Sequence, residues 1–195
     1  MDIKWYYLPP LVDGAAMISL SLQDRIKHRK DYLFFTLPPE GTSYVVFLIF
    51  DSRLPVLPDW VASDGFARIR AKAVARKAPL SHFASPTDVT FDMLGKRFPA
   101  GTTVRLGGAQ SFDENLLSMY CVCVVPLHTI LTQHPQVASE LAFQIALNMP
   151  DKNATGQEAL PDSTLLTKAQ CAWVNGSNGY SLFQAKNNTV QIALR

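Results

Sequence analysis

Charged side chains are scarce. Asp, Glu, Lys and Arg together make up 17% of the 195 residues, against about a quarter in an ordinary soluble domain. With 48% of residues apolar, the chain is too hydrophobic to stay disordered, since disorder needs few apolar residues and many charges. Much of the surface must therefore be neutral polar, proline-shaped or engaged with another molecule. That composition points to an oligomer or to a subunit held by other proteins. The net charge of +2 is too small to announce a nucleic-acid or membrane partner by itself.

Long apolar runs are also missing. The longest, 44–50 and 119–126, fall far short of the roughly 20 residues a membrane-spanning helix needs. The opening Met1-Asp2-Ile3-Lys4-Trp5 lacks the basic start and apolar stretch of a secretion signal. Cys121, Cys123 and Cys171 are the three cysteines, an odd count that builds no disulfide framework. Sequons at Asn153, Asn175 and Asn187 stand without a secretory context. The expectation is a soluble, intracellular (cytoplasmic) protein with no membrane span.

Catalytic signatures are absent as well. There is no Gly-x-Ser-x-Gly elbow, Walker loop, dinucleotide fingerprint or His-Glu-x-x-His helix. The nearest approach to an elbow is Gly107-Gly108-Ala109-Gln110-Ser111, a glycine turn followed by serine. Cys121-x-Cys123 would project two thiols from one strand face, with His128 and His134 as the nearest further ligands. Buried cysteines in a hydrophobic strand explain the pair more simply. Pairing either thiol with His82 or His128 would give a nucleophile and base only if the fold brought them together. Asp88 and Asp92 would share a strand face, and Asp113-Glu114 lies in a loop; both read as solvated carboxylates before they read as an acid–base pair. No metal and no cofactor is expected.

What the chain does have is proline punctuation and short strand-like runs. Trp5-Tyr6-Tyr7-Leu8 is halted by Pro9-Pro10. Segment 15–22 sets Ile18, Leu20 and Leu22 on one face and Ser19 and Ser21 on the other. Segment 32–37 is a short aromatic strand closed by Pro38-Pro39-Glu40-Gly41. Residues 43–50 are nearly all apolar and β-branched or aromatic, as a central strand buried on both faces requires. Strands are expected at 87–94 and 102–106 around the turn at Phe98-Pro99-Ala100-Gly101, and at 117–125 before Pro126. A helix is expected between Pro135 and Leu147, where Val137, Leu141 and Ile145 recur every four residues. Residues 151–162 read as a surface loop, and 172–174, 180–185 and 189–194 as a meander.

Segment 66–78 is ambiguous. Its alanines favour a helix, and Asp64 stands near its start; helix is the preferred reading. As a strand, Arg68, Arg70, Lys72 and Arg76 would instead share one face, opposite Ile69, Ala71, Ala73 and Ala75. Taken together, residues 1–195 are expected to form a single globular domain of β-rich α+β class. The expected architecture is a β-sandwich or barrel-like sheet of about nine or ten short strands with one or two helices.

Two basic clusters are the remaining positive signal. Arg25, Lys27, Arg29 and Lys30 form one, followed by Tyr32, Phe34 and Phe35; Arg68, Arg70, Lys72, Arg76 and Lys77 form the other, preceded by Trp60 and Phe66. Cations that track phosphates, with rings that stack on bases, are how single strands are held. The leading functional expectation is a non-catalytic structural or interaction protein that self-associates or docks with other protein subunits. Trp5, Tyr6, Tyr7 and Trp60 are its candidate contact residues. A nucleic-acid-binding module using the two basic clusters is the second expectation. The third is an enzyme with a small-molecule pocket, for which Cys121, Cys123, His128 and Asp92 are the first residues to test.

Overall fold

A computed structural model describes residues 4–13, 15–20, 32–40, 43–77, 87–109, 120–138, 170–174, 180–183 and 190–191. Strands β1 (Lys4–Tyr7), β2 (Ala16–Ser19), β3 (Leu33–Thr36) and β4 (Ser43–Asp51) come first, and helix α1 (Asp59–Ser63) follows. Next are β5 (Ala67–Lys77), β6 (Thr87–Pro99), β7 (Thr103–Leu106) and β8 (Cys121–Pro126), then helices α2 (Leu127–Gln133) and α3 (Pro135–Ala138). Strands β9 (Gln170–Val174), β10 (Tyr180–Phe183) and β11 (Val190–Gln191) complete the set. The fold is a β-rich α+β fold, as the short proline-bounded runs imply.

Eight strands form one sheet in the order β1-β5-β6-β4-β8-β2-β9-β10, and every adjacent pair is antiparallel. A smaller sheet has the order β11-β3-β7. Strand β4 is buried at all nine positions, and its alternation divides the interior in two. Tyr44, Val46, Leu48 and Phe50 join a core that also holds Leu33 and Phe35 of β3 and Val104 and Leu106 of β7. The small sheet therefore stacks on this face of the large one. Val45, Phe47 and Ile49 face the opposite way, into a core with Trp5, Leu11, Val12, Phe91, Cys123 and Ile130. A 3₁₀ turn at Pro10–Val12 and helix α2 supply the cover there.

The preferred helix over 66–78 is corrected to a strand, β5. Ile69, Ala73 and Ala75 are buried in the second core, and Ala71 packs against it. Alanine is the best helix former, but here its small size lets the strand sit close beneath Trp5 and Phe91, and pairing along β6 outweighs local propensity. The register jumps from Ile69–Met93 to Lys72–Asp92, so Arg70 and Ala71 form a bulge opposite no residue of β6. Two extra residues preserve alternation, which is why Arg68 and Lys72 both reach the same face.

The tail also departs from a simple meander. Strands β9 and β10 pair as an antiparallel hairpin on the large sheet, but β11 runs parallel to β3 in the small one. Of the expected helix between Pro135 and Leu147, Pro135–Ala138 is helical and the remainder lies outside the described residues, as does segment 151–162.

Candidate functional site

The chemistry-bearing residues that the fold gathers lie at the β1–β5–β6 end of the large sheet. Asp92 on β6 stands opposite Lys72 of β5, and its carboxylate receives Lys72 Nζ at 3.0 Å and an Arg68 terminal nitrogen at 3.1 Å. Its side chain is 11% exposed while those of Arg68 and Lys72 are 59% and 56% exposed. Burial alone would raise the Asp92 carboxyl, but the Lys72 ammonium and the Arg68 guanidinium outweigh it and hold the group below the ordinary carboxylate value. A lowered folded-state pKa stabilises above the unfolded value, and that gain is lost as acid takes the pH down through the folded value. At neutral pH Asp92 is therefore an ionised counter-ion, unsuited to act as a general acid.

Arg70 is exposed in the bulge. Arg76 stands opposite Asp88, and Lys4 of β1 stands opposite Arg76. Sequence order alone did not reveal that the second basic cluster carries its own carboxylates. The alternation of Asp88 and Asp92 was visible, but the strand they would face was not. Arg25, Lys27, Arg29 and Lys30 lie outside the described residues. A second acid–base contact closes the end of β4, where Arg53 donates to both carboxylate oxygens of the buried Asp51, at 2.9 and 2.6 Å.

The four aromatic contact candidates separate into two pairs. Tyr6 and Tyr7 are 54% and 42% exposed on β1, an end strand of the large sheet whose register shifts between Trp5 and Tyr7. Tyr7 stands opposite Val74, so its diagonal neighbours along β5 are Lys72 and Arg76. Trp5 and Trp60, by contrast, are 6% and 7% exposed and belong to the two cores. Trp5 meets Phe91 edge-on at 5.0 Å between centroids. Trp60 rises from α1, donates its indole N–H to the Gly108 carbonyl at 2.8 Å, and tilts against Tyr120 at 5.9 Å. Tyr120 in turn donates to the Gly107 carbonyl at 2.8 Å. Gly107 must lack a side chain, because a Cβ there would stand 2.6 Å from the Trp60 ring. The glycine turn that sequence offers as a possible nucleophile loop is thus a seat for two buried aromatics.

The enzymatic candidates sit in different surroundings. Cys121 and Cys123 are buried in the core behind β8, and burial, followed by the neighbouring Cys121, pushes the Cys123 thiol well above its usual value. A thiol held neutral is a poor nucleophile and a poor metal ligand. His128 is exposed on α2 and His134 half-buried at its end. Among the described residues no group of three or more His, Cys, Asp or Glu gathers to hold a metal, and no helix is long and apolar enough to cross a membrane. His82, Asp113 and Glu114 lie outside the described residues, and of Cys171 only the backbone register, opposite Ile18, is described. In a Cys171→Ser variant, Cys121 and Cys123 are expected to ignore Ellman's reagent in native buffer and to react in full once the protein unfolds. Two thiols titrating at once in the native state would contradict this placement.

Comparison with protein-family models, with curated proteins and with solved structures finds no match for this chain.

Proposed function

We propose that this protein is a non-catalytic structural or interaction subunit that self-associates or docks into a larger assembly along the β1 end of its large sheet. The observation that carries the reading is the pair Tyr6 and Tyr7, exposed next to each other on an end strand. Tyrosine supplies a large rigid contact area at small entropic cost and is enriched where interfaces hold most of their energy. Support also comes from Cys123 and Asp92, whose surroundings fit them for burial and for ion pairing rather than for catalysis.

Light scattering behind size exclusion, with absorbance at 260 and 280 nm, tests the proposal. A defined multimer is expected, and the double variant Tyr6→Ala/Tyr7→Ala should shift it towards monomer with its thermal midpoint nearly unchanged. A wild-type monomer at tens of micromolar would overturn the reading.

A second reading is a nucleic-acid-binding surface on β5. It is favoured by one observation: as a strand, β5 sets Arg68 and Lys72 on a single exposed face, with Tyr7 of the paired strand diagonal to Lys72. Cations flanking an exposed ring suit a single-stranded nucleic acid. Asp92 and Asp88 weigh against it by offsetting part of that charge. The same chromatography separates the two readings, because a species carrying nucleic acid would absorb strongly at 260 nm and release it as salt rises.

A further inference from the structure

Strand β5 outruns its neighbour on one side. β6 pairs with it on both sides of the bulge, whereas β1 pairs only with Val74, Ala75 and Arg76. After Tyr7 the chain reaches Pro9 and Pro10 and turns into the 3₁₀ segment over the second core. Among the described residues no strand lies along the outer side of residues 67–73. Arg68, Arg70 and Lys72 are exposed on this stretch, and among the described residues Asp92 is the one carboxylate that meets any of them in an ion pair. Three cations against one carboxylate leave an excess of two positive charges. Arg68 and Lys72 share one face through their common hold on Asp92, while Ile69 and Ala73 point into the core on the other.

We propose that residues 67–73 accept an extended acidic segment of a partner protein as an added strand. The segment alternates acidic residues, beside Arg68 and Lys72, with small apolar ones, beside Ile69 and Ala73. In such strand addition main-chain hydrogen bonds supply affinity, and the alternate side chains supply selectivity. Asp92 holds Arg68 and Lys72 in place before the partner arrives, which reduces the ordering cost of binding. The cations discourage pairing with neutral or basic strands. An acidic strand converts those same cations into attraction, so the features that protect the edge also choose its partner. The inference rests on the non-catalytic docking role proposed above, but on a different stretch of the sheet from Tyr6 and Tyr7.

The test uses the full chain carrying Tyr6→Ala/Tyr7→Ala and an acetylated (Glu-Val)₄ peptide, with affinity from fluorescence anisotropy and protection from amide hydrogen exchange. Binding is expected to slow exchange at residues 67–73, and Arg70→Glu should weaken it about fivefold, since one attraction is replaced by a repulsion at an exposed site. A (Lys-Val)₄ peptide, or a (Glu-Val)₄ peptide N-methylated at alternate amides, should not bind. Equal affinity for the N-methylated peptide, no protection at residues 67–73, or an unchanged affinity in Arg70→Glu would overturn the proposal. Oligomeric state is measured separately without peptide, so failure of self-association and failure of strand addition give different results.

Discussion

Replacing Trp60 by alanine is expected to lower the unfolding free energy by about 3–5 kcal/mol, the range for truncating a buried aromatic. The indole is enclosed by Phe66, Tyr120 and the Gly107 backbone, and truncation would open a void that this aromatic cluster can close only in part. It would also leave the Gly108 carbonyl without the N–H that reaches it from Trp60, adding an unsatisfied buried acceptor to the cavity. Urea unfolding should show the midpoint falling with little change in slope, the mark of lost stability in an otherwise unchanged fold. Trp60→Phe should recover much of the packing but not the hydrogen bond, and so fall between wild type and alanine. Lost association with unchanged stability would instead place Trp60 on a contact surface and contradict its burial.

Phe47→Ala and Leu48→Ala form the second large expectation. These neighbours on β4 point into different cores, Phe47 with Trp5, Phe91 and Met93 and Leu48 with Leu33, Phe35 and Val104. On a sheet with one wet face, one of two adjacent substitutions would cost little. Here each should cost several kcal/mol, about 3–5 for the phenylalanine and about 2–5 for the leucine. The two losses need not add, because both act on one strand within contact distance. Denaturant titration of the single and double variants checks this, and a near-neutral result for either would mean that one side of the large sheet is open to solvent.

That two-sided burial was readable in the sequence, because 43–50 contains almost nothing that water would prefer. Strand β3 and the turn between β6 and β7 were likewise legible from prolines, aromatics and glycine in local order. Strand β5 was not. Its alanines carry a helical preference, and the decision against helix comes from Trp5 and Phe91, distant in sequence and packed into the same core. The bulge at Arg70 and Ala71 is a matter of register with β6, which no periodicity within β5 encodes. For the same reason the counter-ion Asp92 could be noticed as an acid but not matched to Arg68 and Lys72. Burial divided the four contact aromatics equally, and the hidden Trp5 directly precedes the exposed Tyr6. Only the pairing of β1 with β5 tells them apart.

The strand order sets a schedule for a chain made from its N-terminus. β2 lies between β8 and β9, so Ala16–Ser19 has no bonded neighbour until Cys121–Pro126 has been synthesised. About a hundred residues separate them, roughly 5–20 s at ordinary translation rates. Throughout that interval Met17 and Ile18, which end at 2% and 0% exposure, lack the strands that flank them in the finished sheet. The strands β4, β5 and β6, adjacent in sequence and in the sheet, can pair while they wait. Assembly on the ribosome therefore begins in the middle of this polypeptide, and β2, made long before its partners, is among the last strands to be paired.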